Sequence, residues 1–154
     1  MSRRPHILLS IFFSFVSLAS MSLTAQTPAS QPGPGPREVM ASMVDPAANF
    51  IWRSVSTTVT TQGIEEKAPQ NEREWTELRN AADLLAEGGR LLKKDPQREG
   101  DKDWLKWSQA IVDSATLTLE AIESKSADQV LEAGEAIYNT CVGCHGGYWR
   151  MSSP

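Results

Sequence analysis

The chain has 154 residues, 15 basic against 19 acidic side chains and a 40% hydrophobic content, which is the size and balance of one ordinary domain. Its formal charge of −4 argues against nucleic acid and anionic lipid as partners. Its two cysteines and two histidines would supply the four ligands of a structural zinc site only if His6 took part, and His6 lies in a segment that reads as cleaved.

Ser2-Arg3-Arg4-Pro5-His6 is a positively charged start, Ile7 to Leu23 is an apolar run, and Ala25 offers a small residue for cleavage, with Leu23 two places before it an imperfect match. Residues 1–25 therefore read as an export signal. The alternative is an uncleaved anchor, since the run approaches the roughly 20 residues of a membrane span. No cysteine follows the run closely, which excludes a lipoprotein anchor. Cleavage removes Arg3 and Arg4 from the 15 basic residues and none of the 19 acidic ones, leaving 13 against 19, a formal charge of −6. Residues 26–36, with a Pro-Gly-Pro-Gly-Pro run, form neither helix nor packed strand and read as a disordered leader.

Four helices follow. The first begins near Arg37-Glu38 and carries Met40, Met43, Val44, Ala47, Ile51 and Val55 as an apolar stripe. Pro46 interrupts it, predicting a kink or a fresh start capped by Asp45. Ser56 to Ala68, threonine-rich and bounded by Gly63 and Pro69, reads as a loop. The second helix opens on a capping-box pattern, Asn71 with Glu74, and runs through Trp75, Leu78, Ala82, Leu85, Gly89 and Leu92 to Lys93-Lys94, where Pro96 forbids continuation. Gly88-Gly89 costs about 1 kcal/mol per glycine relative to alanine, so either something large approaches the backbone there or two helices cross closely. The third helix is capped by Asp101 or Asp103 and presents Leu105, Val112, Ala115, Leu119 and Ile122 inward, with Trp104, Trp107 and Ser108 crowding its first turns. The fourth starts at Ser126 with Gln129, runs through Val130, Leu131, Gly134, Ile137, Tyr138 and Cys141 to His145, and closes at Gly146-Gly147.

The chemistry is concentrated in Cys141-Val142-Gly143-Cys144-His145. Two cysteines three apart with a histidine directly after the second is the attachment pattern of a c-type haem. On a helix the three side chains stand at i, i+3 and i+4 and share one face. Both thiols then reach the vinyl groups on one edge of a porphyrin while the imidazole reaches the iron. A thioredoxin-like pair would need a βαβ context that the sequence lacks. The cofactor expected is one covalently bound haem c with iron.

Helices of roughly 20 to 24 residues joined by short loops predict an all-α fold, an antiparallel up-down-up-down four-helix bundle. That topology gathers the end of the fourth helix, the start of the first, the end of the second and the start of the third at one end. It places Met40, Met43, Gly88, Gly89, Leu92, Trp104 and Trp107 around the haem, gives the glycines a macrocycle to make room for, and leaves Trp52 and Trp75 at the far end as ordinary core.

A C-terminal Cys-X-X-Cys-His on the fourth helix of a bundle, with a distal position on the first, resembles the class II c-type cytochromes, the cytochrome c prime family. The likeness covers about residues 37–149 and includes Val39-Met40, Asp45-Pro46-Ala47-Ala48 with Ile51-Trp52, Trp75 with Leu78, and Cys141 to Tyr148, which look like an exported mono-haem branch. The resemblance implies a four-helix bundle, His145 as proximal iron ligand, a periplasmic location and a role in electron transfer or gas binding. It also implies a choice on the distal side. Members with a methionine early in the first helix are similar to six-coordinate electron carriers, and those with an apolar residue there resemble five-coordinate gas-binding proteins. Met40 is the expected distal ligand, in the family position, with Met43 the alternative and simple core packing of both the bland reading.

Gly89, Leu92, Trp104 and Tyr148 are expected in the haem pocket, with Tyr148 and Trp149 over its edge. Arg37 and Arg150, the latter in the tail of residues 150–154, are candidates to pair the propionates, an exposed arginine without a specific role being the plain alternative. No catalytic arrangement is present: the mature chain has no histidine besides His145, and a ligating imidazole cannot act as a general base, so an enzyme is not expected. The function expected is one-electron transfer in the periplasm with redox proteins as partners. The alternatives are gas binding and service as the electron-entry subunit of a larger oxidoreductase. No nucleic-acid contact is expected, nor a membrane contact once the signal is removed, and a homodimer is compatible with all three readings.

Overall fold

A computed structural model of the chain describes residues 33–148. The export signal, most of the leader, Trp149 and the tail with Arg150 lie outside the described residues.

The first helix is continuous but not uniform. α1 (Pro36–Val39) passes into a π-helical turn, Met40–Val44, and then into α2 (Asp45–Ser54), with the junction residues all in the right-handed helical region. The cause is local. Pro46 has no N–H to offer the carbonyl four residues back, and the chain responds just before it with a wider turn, in which the Asp45 N–H bonds the Met40 carbonyl five residues earlier. Of the two outcomes expected at Pro46, the fresh start capped by Asp45 does not occur, since Asp45 is itself helical.

Ser56 to Ala68 is not a loop. β1 (Ser56–Thr60) and β2 (Gly63–Lys67) form an antiparallel hairpin in register Ser56 opposite Lys67 and Val59 opposite Ile64. Ser-Thr-Thr-Val-Thr is mostly β-branched and suits extended backbone, and Gly63, at φ +138°, ends the two-residue turn. The Lys67 ammonium donates to the Arg53 carbonyl, tying the hairpin to the end of α2.

α3 (Glu72–Lys93) starts as its capping box requires: Asn71 Oδ1 accepts from the Glu74 N–H at 3.0 Å, and the Glu74 carboxylate accepts from the Gln70 N–H at 2.7 Å. The Gln70 bond, with a second donated by Asn71 Nδ2 at 2.8 Å, holds the Glu74 carboxyl below its ordinary range. A single 3-10 turn, Pro96–Arg98, leads to α4 (Lys102–Glu123), capped by Asp101, which accepts from the Trp104 N–H at 3.0 Å. α5 (Ala127–Tyr148) follows, with Ser126 accepting from the Gln129 N–H.

The four helices pack against one another: α2 on α3 and α5, α3 on α4, and α4 on α5. Ile51, Leu78, Leu85, Ile137, Val39, Val44 and Val130 are the largest apolar side chains fully enclosed between them. The inner face of α4 matches the expected stripe at Ala115 and Ile122, which are buried, and at Leu119, which packs against the core, and departs from it elsewhere. Leu105 is exposed, while Ser108, Ile111, Ser114, Ala115 and Thr118 are buried. Small polar residues are tolerated there because the Ser114 and Thr118 hydroxyls donate to the Ile111 and Ser114 carbonyls at 3.0 and 2.9 Å. On α5, Leu131 and Tyr138 are likewise exposed, and Val130, Ala133, Gly134 and Ile137 face inward. Gly146-Gly147 does not close this helix. Neither glycine takes a positive φ, and the helix runs on to Tyr148. Among the described residues no helix is long and apolar enough to cross a membrane.

Candidate functional site

The last two turns of α5 carry Cys141, Cys144 and His145, all half-buried rather than enclosed in the core. Two contacts fix this segment. Trp107 of α4 presses on Gly143, between the cysteines: a Cβ there would fall 2.2 Å from the ring carbon Cη2 and 2.5 Å from Cζ3, so only glycine lets the indole cover this turn. The Lys106 ammonium stands 4.8 Å from the centre of the same ring.

The second contact is at the helix end. The Tyr148 hydroxyl donates to Asp101 Oδ1 at 2.8 Å, and its ring meets Trp104 edge to face with centroids 5.2 Å apart. The Trp104 indole N–H donates to the Leu92 carbonyl at 2.7 Å, and Arg98 stands over both rings at 5.2 and 5.4 Å. Bonds from the Trp104 N–H and the Tyr148 hydroxyl hold the Asp101 carboxyl low, whereas burial and the Asp101 bond push the Tyr148 phenol up to about 12. Leu92, Trp104 and Tyr148, assigned to one pocket from sequence, thus form a fastening between the end of α5 and the α3–α4 connection.

A groove of about 460 Å³ runs between α5 and the first helix. Its volume lies in the ~300–1,000 Å³ range of small-molecule and cofactor sites. One wall is Met40, Val44, Ala48 and Trp52, four apart along the first helix, with Asp45 beside them. The other is Tyr138, Cys141, Val142 and His145. The structure therefore brings Met40 to the same groove as Cys141 and His145. Met43 faces elsewhere: its Cβ lies 3.6 Å from where a Gly88 Cβ would stand, toward α3. Arg37 sits exposed in α1.

Trp52 corrects the sequence reading. It is not remote core but a groove wall, 36% exposed, with its indole N–H donated to the Gly134 carbonyl at 2.8 Å. Gly134 permits that approach, since a Cβ there would stand 3.2 Å from Trp52 Cδ1. The four-residue spacing from Met40 through Val44 and Ala48 to Trp52 was the available signal. Gly88 and Gly89 correct it too. A Cβ at Gly88 would meet Val44 Cγ2 at 2.7 Å, and one at Gly89 would meet Val112 Cγ2 at 2.9 Å and the Ser108 carbonyl at 3.0 Å. Of the two explanations for these glycines, close helix crossing is the one observed, and Gly89 faces α4 instead of the groove.

Burial pushes the Cys141 thiol up and the nearby Asp45 carboxylate adds to the effect; Cys144 is pushed up to about 11 by burial and then by Cys141. Both stay protonated near neutral pH. A second groove, about 510 Å³, lies between α2, the hairpin and the start of α3, lined by Pro46, Phe50, Arg53, Lys67 and Glu74 among others. It is the larger of the two, yet its lining holds no thiol, thioether or imidazole, so ligand chemistry favours the groove at Cys141. Comparison with known proteins finds no matching family model, curated relative or solved structure.

Proposed function

We propose that the chain is an exported mono-haem c-type cytochrome that transfers single electrons in the periplasm, built on a class II up-down-up-down four-helix bundle. The observation that carries this reading is the groove itself, in which Cys141 and His145 on one wall share a space with Met40 on the other. The antiparallel topology is supported by contacts that run in opposite chain directions: Met40 lies with His145, and Trp52 bonds Gly134.

The residues fit the group. Cys141 and Cys144 are protonated thiols one turn apart and would hold it as thioethers, His145 would supply the proximal imidazole and Met40 the distal sulfur. Val44, Ala48 and Trp52 keep one wall apolar, which excludes water and favours the less charged state of whatever binds. A haem bound here supplies a one-electron iron couple. A thioether is a soft neutral ligand that raises the potential, and the sulfur can stay in place in both oxidation states.

Optical spectra test the reading. The oxidised protein should be low-spin with the weak sulfur-to-iron band in the far red, and the reduced protein should take up carbon monoxide slowly. Met40→Ala should abolish the band, give high-spin iron and open the site to carbon monoxide, while Met43→Ala should do none of these. A wild type that is already high-spin and binds carbon monoxide rapidly would replace electron transfer with gas binding.

A further inference from the structure

The groove wall at the π turn carries a charge that the haem reading leaves without a role. The Asp45 N–H closes that turn on the Met40 carbonyl, so the two residues stand one wide turn apart, and both line the groove with Cys141 and His145. Among the described residues lining it, Asp45 is the one carboxylate, and no lysine or arginine is among them. Its neighbour one turn on bonds it. Asn49 Nδ2 donates to Asp45 Oδ1 at 3.2 Å and to the Asp45 carbonyl at 2.8 Å, linking carboxylate and backbone to the next turn of α2.

Resting on the haem reading, we infer that Asp45 is a positioning residue of an electrostatic kind, a fixed negative charge in the groove that lowers the reduction potential of the site. The physical basis is a charge balance. A ferric porphyrin carries one net positive charge at its core and a ferrous one carries none. A carboxylate nearby therefore attracts only the oxidised form and opposes arrival of the electron. On reduction a one-electron mediator gives up one electron, the iron takes it, and no proton need move at Asp45. The thioether of Met40 and the carboxylate of Asp45 thus pull the potential in opposite directions from adjacent turns of one helix. Asp45 is also exposed to solvent, so dissolved salt should weaken its effect.

The test is a mediated redox titration of the haem-loaded, full-length protein at low ionic strength. Asp45→Asn keeps the size and the hydrogen-bonding capacity toward Asn49 and removes the charge. Its midpoint should rise, shifting the equilibrium against a reference couple by about threefold to tenfold, and the difference from wild type should narrow as salt is added. Asn49→Ala, which frees the carboxylate to swing toward water, should give a smaller shift in the same direction. A purely structural acid in the first turn of α2 would change the melting temperature of the loaded protein and leave the midpoint alone. A midpoint within about 1.5-fold of wild type in Asp45→Asn overturns the inference. Absence of covalent haem from the wild type is a separate result, visible before any titration, and it removes the functional reading itself.

Discussion

Two seams of the bundle are built to opposite rules. Between α3 and α4 the helices approach until nothing more fits: Gly89 faces Val112 and the Ser108 carbonyl, and a single added methyl would lie 2.9 to 3.0 Å from both. Between the first helix and α5 a groove of about 460 Å³ stays open, although Trp52 bridges its walls with a bond to the Gly134 carbonyl. What sets this groove apart from the one beside the hairpin is the chemistry of its lining. The Cys141 thiol, the His145 imidazole and the Met40 thioether line that gap, and the closed seam carries no such group.

The largest effect should come from emptying the open seam. Cys141→Ala combined with Cys144→Ala should give a colourless protein that retains no haem after acid-acetone extraction and is largely unfolded by circular dichroism, because the walls then have nothing between them. A double variant that melts cooperatively at the wild-type temperature would show that the bundle stands without an occupant, and the contrast between the seams would lose its meaning.

Glycine substitutions sharpen the comparison with intermediate effects. Gly89→Ala should destabilise by about 1–3 kcal/mol in a denaturant titration, since the new methyl presses on a backbone carbonyl and on a stiff valine. Gly143→Ala should do at least as much, as Trp107 must leave the turn it covers. Gly146→Ala, helical and with nothing within 4 Å of the added carbon, should instead stabilise by about 0.5–1 kcal/mol. Equal effects at all three positions would mean that helix propensity, not crowding at the seams, governs these glycines.

What could be read in advance was what is local in the chain. The caps at Asn71 and Asp101, the stop at Pro96 and the helical spacing of Cys141, Cys144 and His145 follow from neighbours within four residues, and all are present. The hairpin was missed because all but one of its strand residues are exposed, so no alternation of apolar and polar marks it. On the inner face of α4, Ser114 and Thr118 were missed because they satisfy their hydroxyls on their own helix, which a hydrophobic pattern does not register. Trp52 and the two glycines of α3 depend on which helix each meets, and that is decided by packing across the bundle. The groove is visible from sequence only as a list of its chemical groups, whose convergence needs the fold.

The smallest effect concerns what anchors the site wall, and it can be isolated by pH. The Tyr148 hydroxyl donates to Asp101 at 2.8 Å, fastening the end of α5 three residues beyond His145. Tyr148→Phe keeps the edge-to-face contact with Trp104 and deletes only this bond, so it should lower the melting temperature slightly and leave the fold intact. The phenol titrates near 10 in the unfolded chain and is held up to about 12 in the folded one. Between those values the unfolded state has released the proton that the folded state still holds, so raising the pH favours unfolding there. The contribution is complete below pH 10 and is lost on the way to 12. The wild type should therefore lose stability more steeply than Tyr148→Phe across that window, and the two curves should converge above it. Parallel curves from pH 8 to 12 would mean that the bond holds nothing, and that the α5 wall opposite Met40 is fixed by Trp107 on Gly143 alone.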